Sequence, residues 1–177
     1  MSEQQASFAI EQRLTREVGI MAGRLAQFLA SAVPTAEDSI VEGRTFLHAL
    51  FEAVAEGQPL SAWQGGPLDR RPAGSAHPLD RLVDALTLSR EEVDLLLLAG
   101  LAEEHEGLAA VLRTLHPRGE PHVSVGLAAQ LLCYGARDRV FLRSLLESGT
   151  LVTSGALRVT GDGPFFERSL EPADSLW

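Results

Sequence analysis

The apolar positions of this chain fall into two long helical stripes at its start and into shorter, denser runs after residue 77. Leu14, Val18, Met21, Leu25 and Phe28 step by four, three, four and three residues, the spacing of a helix-pairing seam. That stripe predicts a helix over 4–32, and Pro34 follows its end. A second stripe, Ile40, Leu47, Leu50, Phe51 and Val54, predicts another helix from the stretch TAEDS to a C-terminal cap near Gly57. Joined by a short Pro-containing turn, the two helices make a helical hairpin over 1–56. The seam can be satisfied within one chain or between two, so a homo-oligomer is one of two open arrangements.

Residues 57–77, GQPLSAWQGGPLDRRPAGSAH, break the periodicity with Pro59, Pro67 and Pro72 and read as a flexible linker. Within it, Trp63 is a candidate docking anchor, because a buried indole contributes far more than an exposed one. Helical patterns resume at Pro78. In LSREEVDLLLLAGLAEEH, Ser89 and Glu92 have the spacing of a capping box. A helix in EGLAAVLRTLH follows, then a short strand in GEPHVSV and a helix in GLAAQLL capped by Ser124. ARDRVFLRSLLESG is a further helix ended by Gly149, and TLVTSGALRVTG reads as a β-hairpin turning near Ser154 and Gly155. The expected fold class is mainly α with a small β wing: the N-terminal helical hairpin, then a winged-helix domain over 78–170.

Charge and chemistry narrow the function. The formal charge of −9 repels nucleic acid and anionic lipid on average. All 15 basic residues are arginine, so a phosphate loop ending in G-K-[ST] is excluded for want of its lysine. The single cysteine, Cys133, cannot form an internal disulfide and ends an apolar run, which suits a buried, inert thiol. No apolar run is long enough to span a bilayer, and the polar start is unlike a signal peptide, so a cytoplasmic protein without a membrane partner is expected. His105, His116 and His122 lack metal-ligand spacing, and Ser148 and Ser154 lie outside any G-x-S-x-G context. No catalytic, cofactor-binding or metal-ligating residue is expected.

Nucleic-acid reading is the alternative. With GLAAQLL taken as the reading helix, Gly126, Leu127, Ala128, Ala129 and Gln130 would face the bases, and only Gln130 could bond to one. Arg137, Arg139, Arg143 and Arg158 are the basic residues available to phosphates, with Asp138 and Glu147 among them. An apolar, small-residue helix is better suited to protein, which makes Leu127 and Gln130 candidate docking residues beside Trp63. Nucleic acid is the less favoured partner.

The runs HPLDRLVDALTLSREEVDLLLLAGLAEEHEGLAAVLRTLH, PHVSVGLAAQLL, LLESGTLV, ALRVTG and RSLEPADSLW together resemble a variant winged-helix domain that precedes the ATPase core in a group of bacterial AAA+ proteins. Such ATPases are often encoded with contractile injection systems. The resemblance implies a non-catalytic region that docks a client, an assembly or its own ATPase core. It places ATP and Mg²⁺ in that core, which this chain does not contain, and makes 171–177 the exit segment towards it. The alternative is a winged-helix DNA-binding regulator that dimerises through the N-terminal seam. Leu25→Asp places a carboxylate in the seam. The variant should lose helicity and melt at lower temperature by circular dichroism, and an unchanged melt would refute the seam.

Overall fold

The computed structural model describes residues 3–32, 38–63, 66–71, 74, 77–174 and 176–177. Helix α1 (Glu3–Ala32) and helix α2 (Asp38–Ala55) are followed by α3 (Pro78–Leu86), α4 (Arg90–Glu104) and α5 (Glu106–Leu115). Strand β1 (Val123–Ser124) then leads into α6 (Val125–Leu132), α7 (Ala136–Ser148) and the single turn α8 (Thr150–Thr153). Strands β2 (Leu157–Thr160) and β3 (Ser169–Pro172) complete a three-stranded antiparallel sheet in the order β1-β3-β2. Leu170 on the central strand faces Val123 on one side and Val159 on the other. The predicted Pro34 turn lies outside the described residues.

α1 and α2 pack against each other because α1 presents two glycines to its neighbour. A methyl group at Gly19 would collide with the Val54 side chain, and one at Gly23 would lie 2.8 Å from the Phe51 ring. Val18, Met21 and Leu25 are buried within the single chain, and Leu14 and Phe28 are half-buried against the same core. That core is continuous with the rest of the molecule. Its axis is α4, whose residues from Glu92 to Leu101 are all buried. A helix apolar on every side needs cover on every side. Here α1, α5, α6, α8 and the sheet supply it. Near its end, Gly100 leaves room for the ring of Trp177, whose indole N–H donates to Glu104 at 2.6 Å.

The capping box at the start of α4 is present, and Glu92 does more than the motif requires. Its carboxylate accepts from the Ser89 amide and hydroxyl, each at 3.0 Å, and from the Leu151 amide at 2.9 Å. It therefore caps α8 as well, across 59 residues of chain. This explains the error in the expected hairpin at Ser154 and Gly155. Residues 150–153 are helical, and β2 turns back through 161–168 to pair with β3. The β-branched TLVT run would suit a strand, but Glu92 fixes its first turn from outside. The Thr153 hydroxyl donates to Gly149 and the Ser154 hydroxyl to Leu151, closing that turn locally.

A buried ionic cluster joins α1 to α3 and to the segment between α2 and α3. Arg13, Glu17 and Asp80 are all buried. Arg13 pairs with Glu17 at 2.5 Å and with Asp80 at 3.3 Å, and it donates to the Pro67 carbonyl at 2.8 Å. Arg70 holds the other side of Glu17, while Arg71 lies 3.8 Å from Asp80 and is bidentate to Asp84. Removing one partner from such a cluster leaves a buried charge uncompensated, at a cost of about 3–5 kcal/mol. Arg13→Leu should lose stability of that order in urea denaturation. A loss below about 1 kcal/mol, the range of surface pairs, would show that the cluster does not hold α1 in place.

Candidate interaction surface

The sheet order and the sequence α5–β1–α6–α7–α8–β2–β3 define a winged helix, with β2, the 161–168 turn and β3 as its wing. In this arrangement the second of the paired helices is the reading helix. That position belongs to α7, not to the GLAAQLL helix α6. The physical reason is burial. Leu127, Ala128 and Ala129 of α6 point into the core, and the Ser124 hydroxyl caps the helix by accepting from the Leu127 amide at 3.1 Å. An apolar small-residue helix here marks packing, and Leu127 is buried except where it borders a small hollow.

α7 has the opposite character. Leu142 and Leu146 anchor it to the core, while every residue from Tyr134 to Phe141 is exposed. Tyr134 is 98% exposed, Val140 72% and Phe141 49%. Asp138 sets this start, its carboxylate accepting from the Tyr134 amide at 2.8 Å and the Gly135 amide at 3.0 Å. The outermost row of the helix is Arg137, Val140, Ser144 and Glu147. One cation, one aliphatic group, one hydroxyl and one carboxylate do not make a phosphate-gripping face.

The four arginines singled out from sequence differ in availability. Arg143 pairs with Glu147 at 2.8 Å and lies over the Phe165 ring at 4.8 Å. Arg158 is held by Asp174 at 2.7 Å and Glu171 at 3.9 Å. Arg137 and Arg139, both exposed, form no ion pair among the described residues. Trp63 is half-buried, with the Arg16 guanidinium 5.8 Å from its ring centre, and it lines neither the groove between α1 and α7 nor the hollow beside Phe166.

The groove reaches α7, and the smaller hollow does not. A groove of about 990 Å³ runs between α1 and α7 over α4, with Met21, Phe28, Leu131, Phe141 and Leu145 among its walls. A smaller hollow of about 310 Å³ is lined by Phe28, Leu127 and Phe166. Gln130, exposed at the end of α6, borders both. In the groove, Asp94 faces Arg24 at 3.8 Å, and burial pushes its carboxyl above the usual range. Burial likewise raises the Cys133 thiol, which suits an unreactive sulfur.

Tyr134, Val140 and Phe141 escaped the sequence reading. A signal was present: Val140, Phe141, Leu142, Leu145 and Leu146 are more apolar residues than one core-facing stripe of a short helix needs. Elsewhere, Ser169 meets His116 and Glu120, a set that invites a catalytic reading. The geometry denies it. His116 Nδ1 accepts from the Arg118 amide at 3.1 Å, so in the neutral ring the proton sits on Nε2, 3.1 Å from the Ser169 hydroxyl. Nε2 therefore donates to the serine oxygen, and the serine proton goes to Glu120. A histidine that donates here cannot act as the serine's base.

Residues 68–172 match the family described as winged helix domain, variant, and the chain belongs to that family. No curated protein and no solved structure matches it.

Burial of the His116 ring lowers its pKa below the ordinary 6.5, and His77, whose Nδ1 accepts from the Leu79 amide, is lowered for the same reason. Between the folded and unfolded values the unfolded chain binds more protons, so both rings favour folding above about 6.5 and cease to as pH falls through that window. Stability should hold between about pH 8 and 7 and decline towards pH 5. His116→Gln should flatten part of that slope in pH-dependent thermal melts, and an unchanged slope would contradict the assignment.

Proposed function

We propose that this chain is the non-catalytic protein-interaction and regulatory N-terminal region of an AAA+ ATPase, which docks a client or an assembly for a remodelling motor of a contractile injection system in the cytoplasm. One observation carries the docking role. The reading position of the winged helix bears the exposed Tyr134, Val140 and Phe141, while two of its four candidate phosphate contacts are paired with carboxylates. Burying a Val or Phe side chain contributes about 1.5–3 kcal/mol, enough for this trio to dominate an interface. The motor link rests on the resemblance that begins at residue 78, and the family match supports the winged-helix part of that resemblance.

The second reading, a DNA-binding regulator using Gln130, Arg137, Arg139, Arg143 and Arg158, draws on Arg137 and Arg139, which form no ion pair among the described residues. Dimerisation through the α1 seam would require Val18, Met21 and Leu25 to leave the chain's own core.

The test uses the purified chain, the ATPase core of an AAA+ protein of a contractile injection system and a fluorescent DNA duplex. The chain alone should hydrolyse no ATP, and it should alter the ATPase rate of that core. The double variant Val140→Glu, Phe141→Asp should keep its circular dichroism spectrum and lose that effect. Duplex binding that weakens steeply between about 50 and 200 mM salt would replace this reading with the second.

A further inference from the structure

α4 buries two carboxylates, Glu92 and Asp94, and the fold uses them differently. Glu92 accepts from donors at the starts of α4 and α8. Asp94 is 9% exposed, and its Oδ1 is buried without a hydrogen-bond donor. Arg24 stands 3.8 Å from that oxygen, an ion pair beyond hydrogen-bond length. Buried polar groups are nearly always bonded, so a carboxylate left open in this way points to a donor from outside. Asp94 lies on the floor of the α1–α7 groove, between Phe28 on one wall and Phe141 on the other. The other guanidiniums close enough to act on it are engaged elsewhere, Arg90 by Asp69 at 3.4 Å and Arg70 by Glu17. The charged lining as a whole is acidic, with Glu91, Asp94 and Asp138 against Arg24 and Arg90. Asp138 is held by the Tyr134 and Gly135 amides, which leave its charge in place. Burial raises the Asp94 carboxyl, and a cation beside it would favour its ionised form.

We infer that the groove receives a basic amphipathic helix of another protein, its apolar side chains against Phe28 and Phe141 and one Lys or Arg side chain on the Asp94 carboxylate. This rests on the docking role of α7 and adds the chemistry of the partner. A groove walled by two helices suits a third, whose apolar face covers both walls. A long cationic side chain can lay its apolar stem along such walls and carry its charge to the floor. The net charge of −9 draws a basic partner in and repels a second copy of this chain.

The experiment immobilises the full chain and selects from a random display library of peptides about 16 residues long. Enriched peptides are synthesised with a fluorophore and titrated by anisotropy. They should carry apolar residues at helical i, i+3/i+4 and i+7 spacing with Lys or Arg between them. Phe141→Asp should weaken their binding at least about tenfold, as for an anchor residue. Asp94→Asn should weaken it about tenfold, as for a buried charge pair, and Glu91→Gln at the exposed rim about twofold. Arg24→Gln should strengthen it, because the resident cation no longer competes for Asp94. Circular dichroism melts show that each variant is folded, and Asp94→Asn should melt no lower than the parent. An Asp94→Asn variant that melts lower and binds the peptides unchanged would make Asp94 a structural partner of Arg24 and overturn the inference. Peptides that need Phe141 but are not enriched in Lys or Arg overturn it too and leave the docking role standing. Where no peptide depends on Phe141, both fail. Sedimentation as a dimer that Phe141→Asp dissolves would assign the groove to a second copy and overturn the basic-helix partner.

Discussion

Arg13 is the contact on which the arrangement of this molecule depends. Its guanidinium is buried with Glu17 beside it on α1 and Asp80 at the start of α3, and it also binds the Pro67 carbonyl. Three stretches of chain that share no secondary structure meet at one planar cation. A point charge on a flexible stem would not satisfy so many acceptors at fixed angles, and in this lysine-free sequence arginine does so. With α1 held there, its apolar stripe lies on α4 and its far end forms one wall of the groove beside α7. The interaction face is thus built from both ends of the sequence.

Much of the fold was legible because it follows from periodicity and caps. The Ser89–Glu92 box, the Ser124 cap and the Gly149 stop are local signals, and local hydrogen bonds enforce them. The misplaced hairpin shows where local signals end. Nothing within 150–153 announces that its first turn will be capped by a carboxylate 59 residues away. The ionic cluster was equally invisible. Arg13 and Glu17 stand four apart, a spacing common to exposed helix pairs, and only the placement of Asp80 and Arg70 shows them to be buried.

The interaction face was half legible. Arg137, Arg139, Arg143 and Arg158 were visible as a cluster, but sequence cannot say which arginines neighbouring carboxylates have already engaged. The reading helix was placed one element too early. Apolar content suggested a sticky surface on α6, whereas folding uses that content for the core and leaves α7 projecting. The same residue types meet opposite fates on consecutive helices. What separates them is whether the residue lies over α4 or beyond it.

The double duty of Glu92 has a mechanical meaning. One carboxylate ties the start of α4 to the turn that follows α7, so the outer helix is tethered to the central one by more than apolar contact. A pull on α7 from a bound partner would travel along this tether to α4, and from α4 to α1 packed against it. Apolar surfaces slide under shear, but a carboxylate fixed by several donors resists displacement until its bonds break together. The molecule therefore has a stiff load path from its exposed helix to its axis, and a single acidic side chain is its coupling pin.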